Sequence, residues 1–480
     1  MSCDNREDPA AILARQALGA GADSFCQDAL GAAKAVWLDS LICAVAGQGA
    51  PGVAAATELM RDWGGKPEAA LFFEDLRLPA PAAAFVNAAM IHALDFDDVH
   101  TQSTLHIGSV VVPAVCAAAH ERTAGRTMLD ALVVGIETAV RIRLAGASRS
   151  QGFLPTSLAG SFGAVAAAAR LENLDLSQTL DAFGLNYTQV AGNRQALLDA
   201  SLAKRLQPAL AVRSALWAVA LAKRGISGPR RIFNGEAGFY QLYMDGRVPD
   251  AEAFRRSSGE AWEVERVSTK RYPSCGACHP VQLAAEALYA EAVVRADQIR
   301  SVDLFGVAPL VAEPFDPTRE PQVAAQFSAA WAVAHTLLRG AAGLSDYTDE
   351  AVRADREVIE LARSIRFVDQ PPDPAPGPGR DSPELTGETA HRLRPQGLIL
   401  HTRDGRRILR ASSPAEVTPR RPAGWGALEA KALDCARFAG VSADAMRELV
   451  AFVGQWDRSG DAGDLYRCLS PLRAPSSRSR

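Results

Sequence analysis

From about Ala10 to Tyr243 apolar residues recur at three- and four-residue spacing, as in Ala29-Leu30-Ala33-Val36-Trp37-Ser40-Leu41, within a stretch dense in Ala and Leu. That period lays side chains along one face of an α-helix. Segments such as Met128–Ala145 and Phe162–Leu171 are apolar on most sides, which suits helices packed against other helices rather than against water. The pattern predicts a large all-helical domain over residues 1–262.

The texture changes over residues 263–412. Ile299–Val307 reads as a strand, and Gly397–His401 and Arg407–Arg410 read as a hairpin turned at Arg403-Asp404-Gly405-Arg406. Helical stretches are expected at Pro280–Ala292 and Val323–Leu338. This is a smaller α+β domain, giving a mainly α chain overall. Its Pro/Gly-rich run 370–383 predicts an exposed loop, because Pro can neither extend a helix nor donate to a strand ladder. Helical periodicity returns at Trp425–Trp456, so residues 413–470 are expected to rejoin the helical domain, and 471–480 to form a flexible tail.

With 51 Lys+Arg against 55 Asp+Glu, a net charge of −4 provides no basic surplus of the kind that binds nucleic acid. The first eight residues lack the basic start and apolar block of a secretory signal. The longest stretch without Asp, Glu, Lys or Arg, Val99–His120, contains His100, Gln102, Ser103, His106 and Pro113, too polar for a spanning helix. A soluble cytoplasmic protein without membrane contacts is expected. The eight cysteines are scattered, so thiols rather than disulfides are the default.

No GxxxxGK[ST] loop or HExxH helix occurs, and the literal GxGxxG at Gly47–Gly52 follows a helical segment rather than a strand. Cys275-Gly276-Ala277-Cys278-His279 has the form of a c-type haem attachment, but haem attachment needs export, and zinc needs two further ligands. Structural cysteines beside a functional His279 are the reading favoured, with no metal and no cofactor. The run His92-Ala93-Leu94-Asp95-Phe96-Asp97-Asp98-Val99-His100, followed by His106, packs acids and imidazoles beside an apolar helix. If the run stays helical, His92, Asp95 and Val99 share a side. A solvated helix end capped by Asp is the bland alternative; three acids with three imidazoles favour a site. Lys204-Arg205 and Lys270-Arg271-Tyr272 are ordinary surface cations singly, but together they suit clamping the carboxylates of a small acid.

Phe85-Val86-Asn87-Ala88 with His92-Ala93-Leu94-Asp95-Phe96-Asp97-Asp98 closely resembles the signature of the MmgE/PrpD family, which includes 2-methylcitrate dehydratase, cis-aconitate decarboxylase and iminodisuccinate epimerase. The likeness continues through Leu38-Asp39-Ser40, Gly135-Ile136-Glu137 with Arg141, Gly160–Ala167, Lys204-Arg205, Lys270–Cys275 with His279, and Phe327-Ser328. The resemblance implies an all-helical domain with an α+β lid, a homodimer, no cofactor, and an active site in the cleft between domains. Asp95, His106, Lys204, Lys270 and His279 would surround a small organic acid there, with Arg271 and Tyr272 assisting binding. It also implies proton removal next to a carboxylate or imine, which needs a base near neutral pKa and cations for the developing charge. His106 is the leading acid/base residue, Asp95 orients it or binds substrate, and Lys204 and Lys270 supply charge or a desolvated base.

Four positions depart from the family's pattern. Leu154 stands where an imidazole is usual, Val99 replaces a Thr, Gln207 a His, and Trp331 a Tyr. Leu154 can neither shuttle protons nor bind carboxylate. The replacements predict a less polar pocket and a reaction other than cis-aconitate decarboxylation or 2-methylcitrate dehydration. A lyase is the first expectation, an epimerase or isomerase of an amino or imino acid the second, and an inactive ligand-binding homologue the third.

Overall fold

The computed structural model describes residues 7–21, 24–146, 152–244, 246–257, 259–292, 295–318, 320–369, 396–412 and 422–475; the Pro/Gly-rich run 370–383 lies outside them. The chain divides into two compact units. Unit 1 comprises 1–194, 205–269 and 420–480, and unit 2 comprises 195–204 and 270–419.

Unit 1 is helical. Its first half holds α1 (Pro9–Gly19), α2 (Gln27–Gly47), α3 (Val53–Trp63), α4 (Ala80–His92), α5 (Gly108–Ala118), α6 (Gly125–Ala145), α7 (Pro155–Leu171) and α8 (Leu176–Tyr187). Past the short α9 (Gln195–Leu198), which belongs to unit 2, come α10 (Ala203–Lys223), whose first two residues also fall in unit 2, and α11 (Phe239–Tyr243). The chain returns at its end as α17 (Trp425–Ala439), α18 (Ala443–Gln455) and α19 (Ala462–Leu469). Helix α2 is long and apolar enough to cross a membrane by length and composition, but 89% of its apolar window is buried inside the protein. It is a core helix, flanked by α4, α6 and α17. Helices α6 and α7 cross at two glycines: a Cβ on Gly163 would meet the Gly135 carbonyl oxygen at 2.4 Å, and one on Gly135 the Gly163 oxygen at 2.9 Å. Two small pairings, β1 (Ala69–Ala70) with β2 (Arg77–Leu78) and β3 (Val99–His100) with β4 (Val267–Ser268), pin loops of this unit.

Unit 2 is built on a four-stranded sheet in the order β6-β5-β7-β8, from β5 (Ile299–Phe305), β6 (Arg366–Val368), β7 (Gln396–Thr402) and β8 (Arg407–Ser412). Strand β5 runs parallel to β6 and antiparallel to β7, which forms a hairpin with β8. Helix α12 (His279–Ala290) covers β7 and β8, and its Val281, Ala285 and Leu288 meet Val302, Leu304, Leu398 and Leu400 of the sheet in one core. The expected helix over 323–338 is two helices, α13 (Pro321–Gln326) and α14 (Ala329–Arg339). Ser328 divides them, because its Oγ accepts from Trp331 N–H at 3.1 Å and caps the second. Two short helices, α15 (Asp349–Ala354) and α16 (Arg356–Ser364), lead into β6.

Two expectations need correction. The tail is not frayed from residue 471: Leu472 is fully buried, its carbonyl accepts from Gln48 Nε2 at 3.0 Å, and Ala474 N–H donates to Gln48 Oε1 at 2.8 Å. Residues 195–204 group with unit 2 rather than with the helical unit, and there Lys204 Nζ stands 5.1 Å over the Phe327 ring.

Candidate active site

Helix α4 ends at His92, and the chain reverses at Asp95, whose φ of 51° lies in the left-handed region. Asp tolerates that conformation better than most residues, and Asp95 N–H donates back to the His92 carbonyl at 3.3 Å. The expectation that His92, Asp95 and Val99 share a helical side is therefore wrong, because the helix stops before Asp95. Nor is the run a solvated helix end: Asp97 and Asp98 are wholly buried and Asp95 nearly so.

The reversal folds the acids under two imidazoles. His92 Nδ1 lies 2.7 Å from Asp97 Oδ2, and the His92 and His106 rings are 5.2 Å apart. His106 is held at both ends, by its N–H on Thr156 Oγ1 at 3.0 Å and by Nδ1 at 2.8 Å from the Asp98 carbonyl oxygen. A carbonyl only accepts, so Nδ1 carries the hydrogen and a neutral His106 has its basic lone pair on Nε2. Its side chain is 21% exposed against 5% for His92, so His106 is the more accessible imidazole.

The Asp98 carboxylate accepts from Gly108 N–H, at 3.0 and 3.2 Å to its two oxygens, at the start of α5. Burial, then the like charges of Asp97 and Asp39, push this carboxyl well above its ordinary range. A side chain at 108 would collide with it, since a Cβ there meets Asp98 Oδ1 at 2.3 Å and Ser40 Oγ at 2.5 Å. His100 is structural. Its Nδ1 accepts Ser103 N–H at 3.2 Å, so Nε2 carries the hydrogen that meets Glu263 Oε2 at 3.0 Å. Burial raises the Glu263 carboxyl, but His100, Arg266 and Arg141 together hold it below the usual range.

Unit 2 holds a set of its own. Lys204 and Lys270 are buried despite their charge, at 5% and 3% exposure. Lys204 follows a turn with Ala200 at φ 49°. His279 opens α12, its Nε2 3.2 Å from the Ser274 carbonyl, which leaves the lone pair of the neutral ring on Nδ1. The Tyr272 ring stands edge-on to it at 5.2 Å. Arg271 and Tyr272 converge on one carboxylate: Arg271 Nη2 lies 2.6 Å from Glu286 Oε1, and Tyr272 O–H donates to Glu286 Oε2. Trp331 lies in the apolar core of this unit, stacked on His335 at 5.1 Å and against Tyr347 at 4.6 Å.

The other departures lie in unit 1. Val99 pairs with Ser268 in the β3–β4 ladder. Leu154 precedes α7, with its N–H on the Gly192 carbonyl at 3.2 Å. Gln207 bonds both backbone groups of Asn193, at 2.9 and 2.8 Å.

His92, Asp97 and His106 offer three donor atoms within 4.8 Å of one another, a set that could hold a metal ion. The Nδ1 atoms of both rings sit at hydrogen-bonding distance from oxygens, Asp97 Oδ2 for His92 and the Asp98 carbonyl for His106. The residue that sequence reasoning missed is Lys431 on α17, whose Nζ lies 2.6 Å from Asp39 Oδ1 and 2.7 Å from the Phe96 carbonyl oxygen. The signal was present: Leu428, Lys431, Ala432 and Cys435, all buried, fall at i, i+3, i+4 and i+7, which sets a lysine in an apolar stripe.

Residues 11–252 match the MmgE/PrpD N-terminal domain and residues 272–455 the MmgE/PrpD C-terminal domain. The chain belongs to the MmgE/PrpD family. It is 30% identical over 352 residues to the cis-aconitate decarboxylase-like protein of Aspergillus oryzae, covering 68% of this chain and 73% of that one. It is 28% identical over 366 residues to the cis-aconitate decarboxylase of Aspergillus terreus, covering 72% and 74% respectively. The Mus musculus cis-aconitate decarboxylase is 27% identical over 321 residues, 63% of each chain. These MmgE/PrpD relatives support a lyase-type function.

Proposed function

We propose that this MmgE/PrpD member is a cofactor-independent lyase that removes a proton next to a carboxylate of a small organic acid and expels a leaving group. The observation that carries the reading is the Asp98 carbonyl on His106 Nδ1, which presets Nε2 as the basic nitrogen of a partly accessible imidazole above buried acids. Asp95 orients substrate or imidazole, Lys204 and Lys270 neutralise the developing enolate charge, and His279 binds the acid. Arg271 and Tyr272 act on substrate through the arrangement they share with Glu286. The relatives carry cis-aconitate in their names, but Leu154, Val99 and Gln207 argue for a larger or less polar acid, and against 2-methylcitrate as well; Trp331, buried in the core of unit 2, carries no part of that argument. The enzyme works in the cytoplasm as a homodimer, without metal.

One observation favours a second reading. Leu154 offers no proton to a departing hydroxide, and an epimerase that returns the proton to carbon needs no such donor. A proton NMR time course in deuterated buffer, with chelator-treated protein and a panel of hydroxy-, amino- and imino-acids beside cis-aconitate and 2-methylcitrate, tests both. Elimination product supports the lyase, and deuterium uptake with inversion supports the epimerase. Wild-type turnover in a His106→Ala, Lys204→Ala double variant would sink the assignment of these residues.

A further inference from the structure

We infer that Lys431 is the positioning residue of the candidate site, fixing the peptide between Phe96 and Asp97 from beneath and so setting the acids and carbonyl that hold both imidazoles. The inference rests on the proposed role of His106. Lys431 reaches the loop from α17, and its Nζ, in a side chain 7% exposed, lies 2.7 Å from the Phe96 carbonyl oxygen, 2.6 Å from Asp39 Oδ1 and 3.8 Å over the Phe96 ring. The Phe96 carbonyl belongs to the peptide that leads directly into Asp97. The Asp97 carboxylate meets His92 at 2.7 Å, and the next carbonyl, that of Asp98, accepts from His106 Nδ1 at 2.8 Å. A shift of the clamped peptide therefore moves the partners of both rings.

The ammonium is also the counter-charge of a crowded acidic floor. Asp39 and Cys43 of α2, Cys435 of α17, and the loop acids Asp97 and Asp98 all act on or around it. Burial works against its charge, but Asp39 above all holds its pKa above the ordinary lysine value. Burial in turn raises the thiols, Cys435 to about 12. Lys431 thus stays protonated across the working range; it donates and balances charge, and does not act as a base.

Removing Lys431 alone leaves Asp39 buried without its cation and invites unfolding. The decisive variant is therefore the pair Lys431→Met with Asp39→Asn, which removes both charges together and leaves the Phe96 carbonyl without its donor. Imidazole titration by NMR on histidine-labelled full-length protein, with His106 assigned from a His106→Gln sample, reads the site without substrate. The expected result is a folded double variant whose His106 pKa and Nδ1 signal differ from wild type. On an acid that the wild type turns over, kcat falls about 100-fold with KM nearly unchanged, and Lys431→Arg, which keeps a donor and a charge, restores part of the loss. A double variant with wild-type His106 titration overturns the inference, whether or not a substrate is known. Wild-type titration lost but turnover unaffected would instead keep the positioning role and remove His106 from the proposed mechanism.

Discussion

At the scale of single residues, His106 gains its chemistry from a neighbour's backbone. Because the Asp98 carbonyl occupies Nδ1, His106→Gln keeps a hydrogen-bonding amide but loses the titrating nitrogen. It is expected to lower kcat by about 10²–10⁴-fold while leaving the melting temperature near wild type; equal activity in the two proteins would remove this residue from catalysis. The Asp98 side chain is a separate matter. Its raised carboxyl favours the neutral form in the folded chain. Its contribution to stability is thus fully present below the unfolded value, 3.8, and is lost as pH rises through the higher folded value. Asn cannot ionise and keeps an oxygen for Gly108 N–H, so Asp98→Asn should gain stability relative to wild type on going from pH 5 to pH 8. Thermal unfolding at both pH values checks this, and an unchanged difference between the proteins would contradict it.

At the scale of elements, glycines mark where helices come closest. A methyl group on Gly163 has the Gly135 carbonyl oxygen at 2.4 Å and Ala139 Cβ at 3.0 Å, so Gly163→Ala must push α6 and α7 apart. Overpacking of this kind costs about 1–3 kcal/mol; denaturant unfolding with no loss of midpoint would show that the crossing can yield. The helices themselves were legible in the sequence, because residues such as Ala29, Leu30, Ala33, Val36 and Trp37 repeat the helical period and are all buried. The β7–β8 hairpin was legible from Asp404-Gly405, and Gly405 does adopt a left-handed φ of 88°. The break at Ser328 was not, since Ser in mid-helix and Ser at a cap read alike until its side chain has a partner. In the candidate site, His106 and Asp95 stood out as polar residues among apolar ones. Lys431 did not, because its meaning lies in Asp39, 392 residues earlier in the chain.

At the scale of the molecule, the helical unit is closed by the end of the chain. Trp456 packs against Trp37 of α2 with ring centroids 4.7 Å apart, Lys34 pairs with Asp457 at 2.8 Å, and Gly125 N–H donates to the Gly460 carbonyl at 3.0 Å. Gly125 admits this approach only without a side chain, since a Cβ there would meet Trp456 Cδ1 at 2.4 Å. The segment also carries Lys431 to the acids beneath the imidazoles. A chain ending at residue 424 therefore leaves one face of α2 bare and Asp39 without its cation, two independent reasons for unit 1 not to close. The milder change Trp456→Ala removes its ring contacts and the indole N–H bond to the Asp461 carbonyl and is expected to cost about 3–5 kcal/mol in a protein that still folds. Circular dichroism melts separate the cases: the truncated chain is expected to lose the cooperative helical transition, and Trp456→Ala to lower its midpoint. A truncated chain that melts cooperatively with wild-type helicity would mean that the returning helices dock on an already complete core, and that the buried floor of the site tolerates Asp39 by some route other than Lys431.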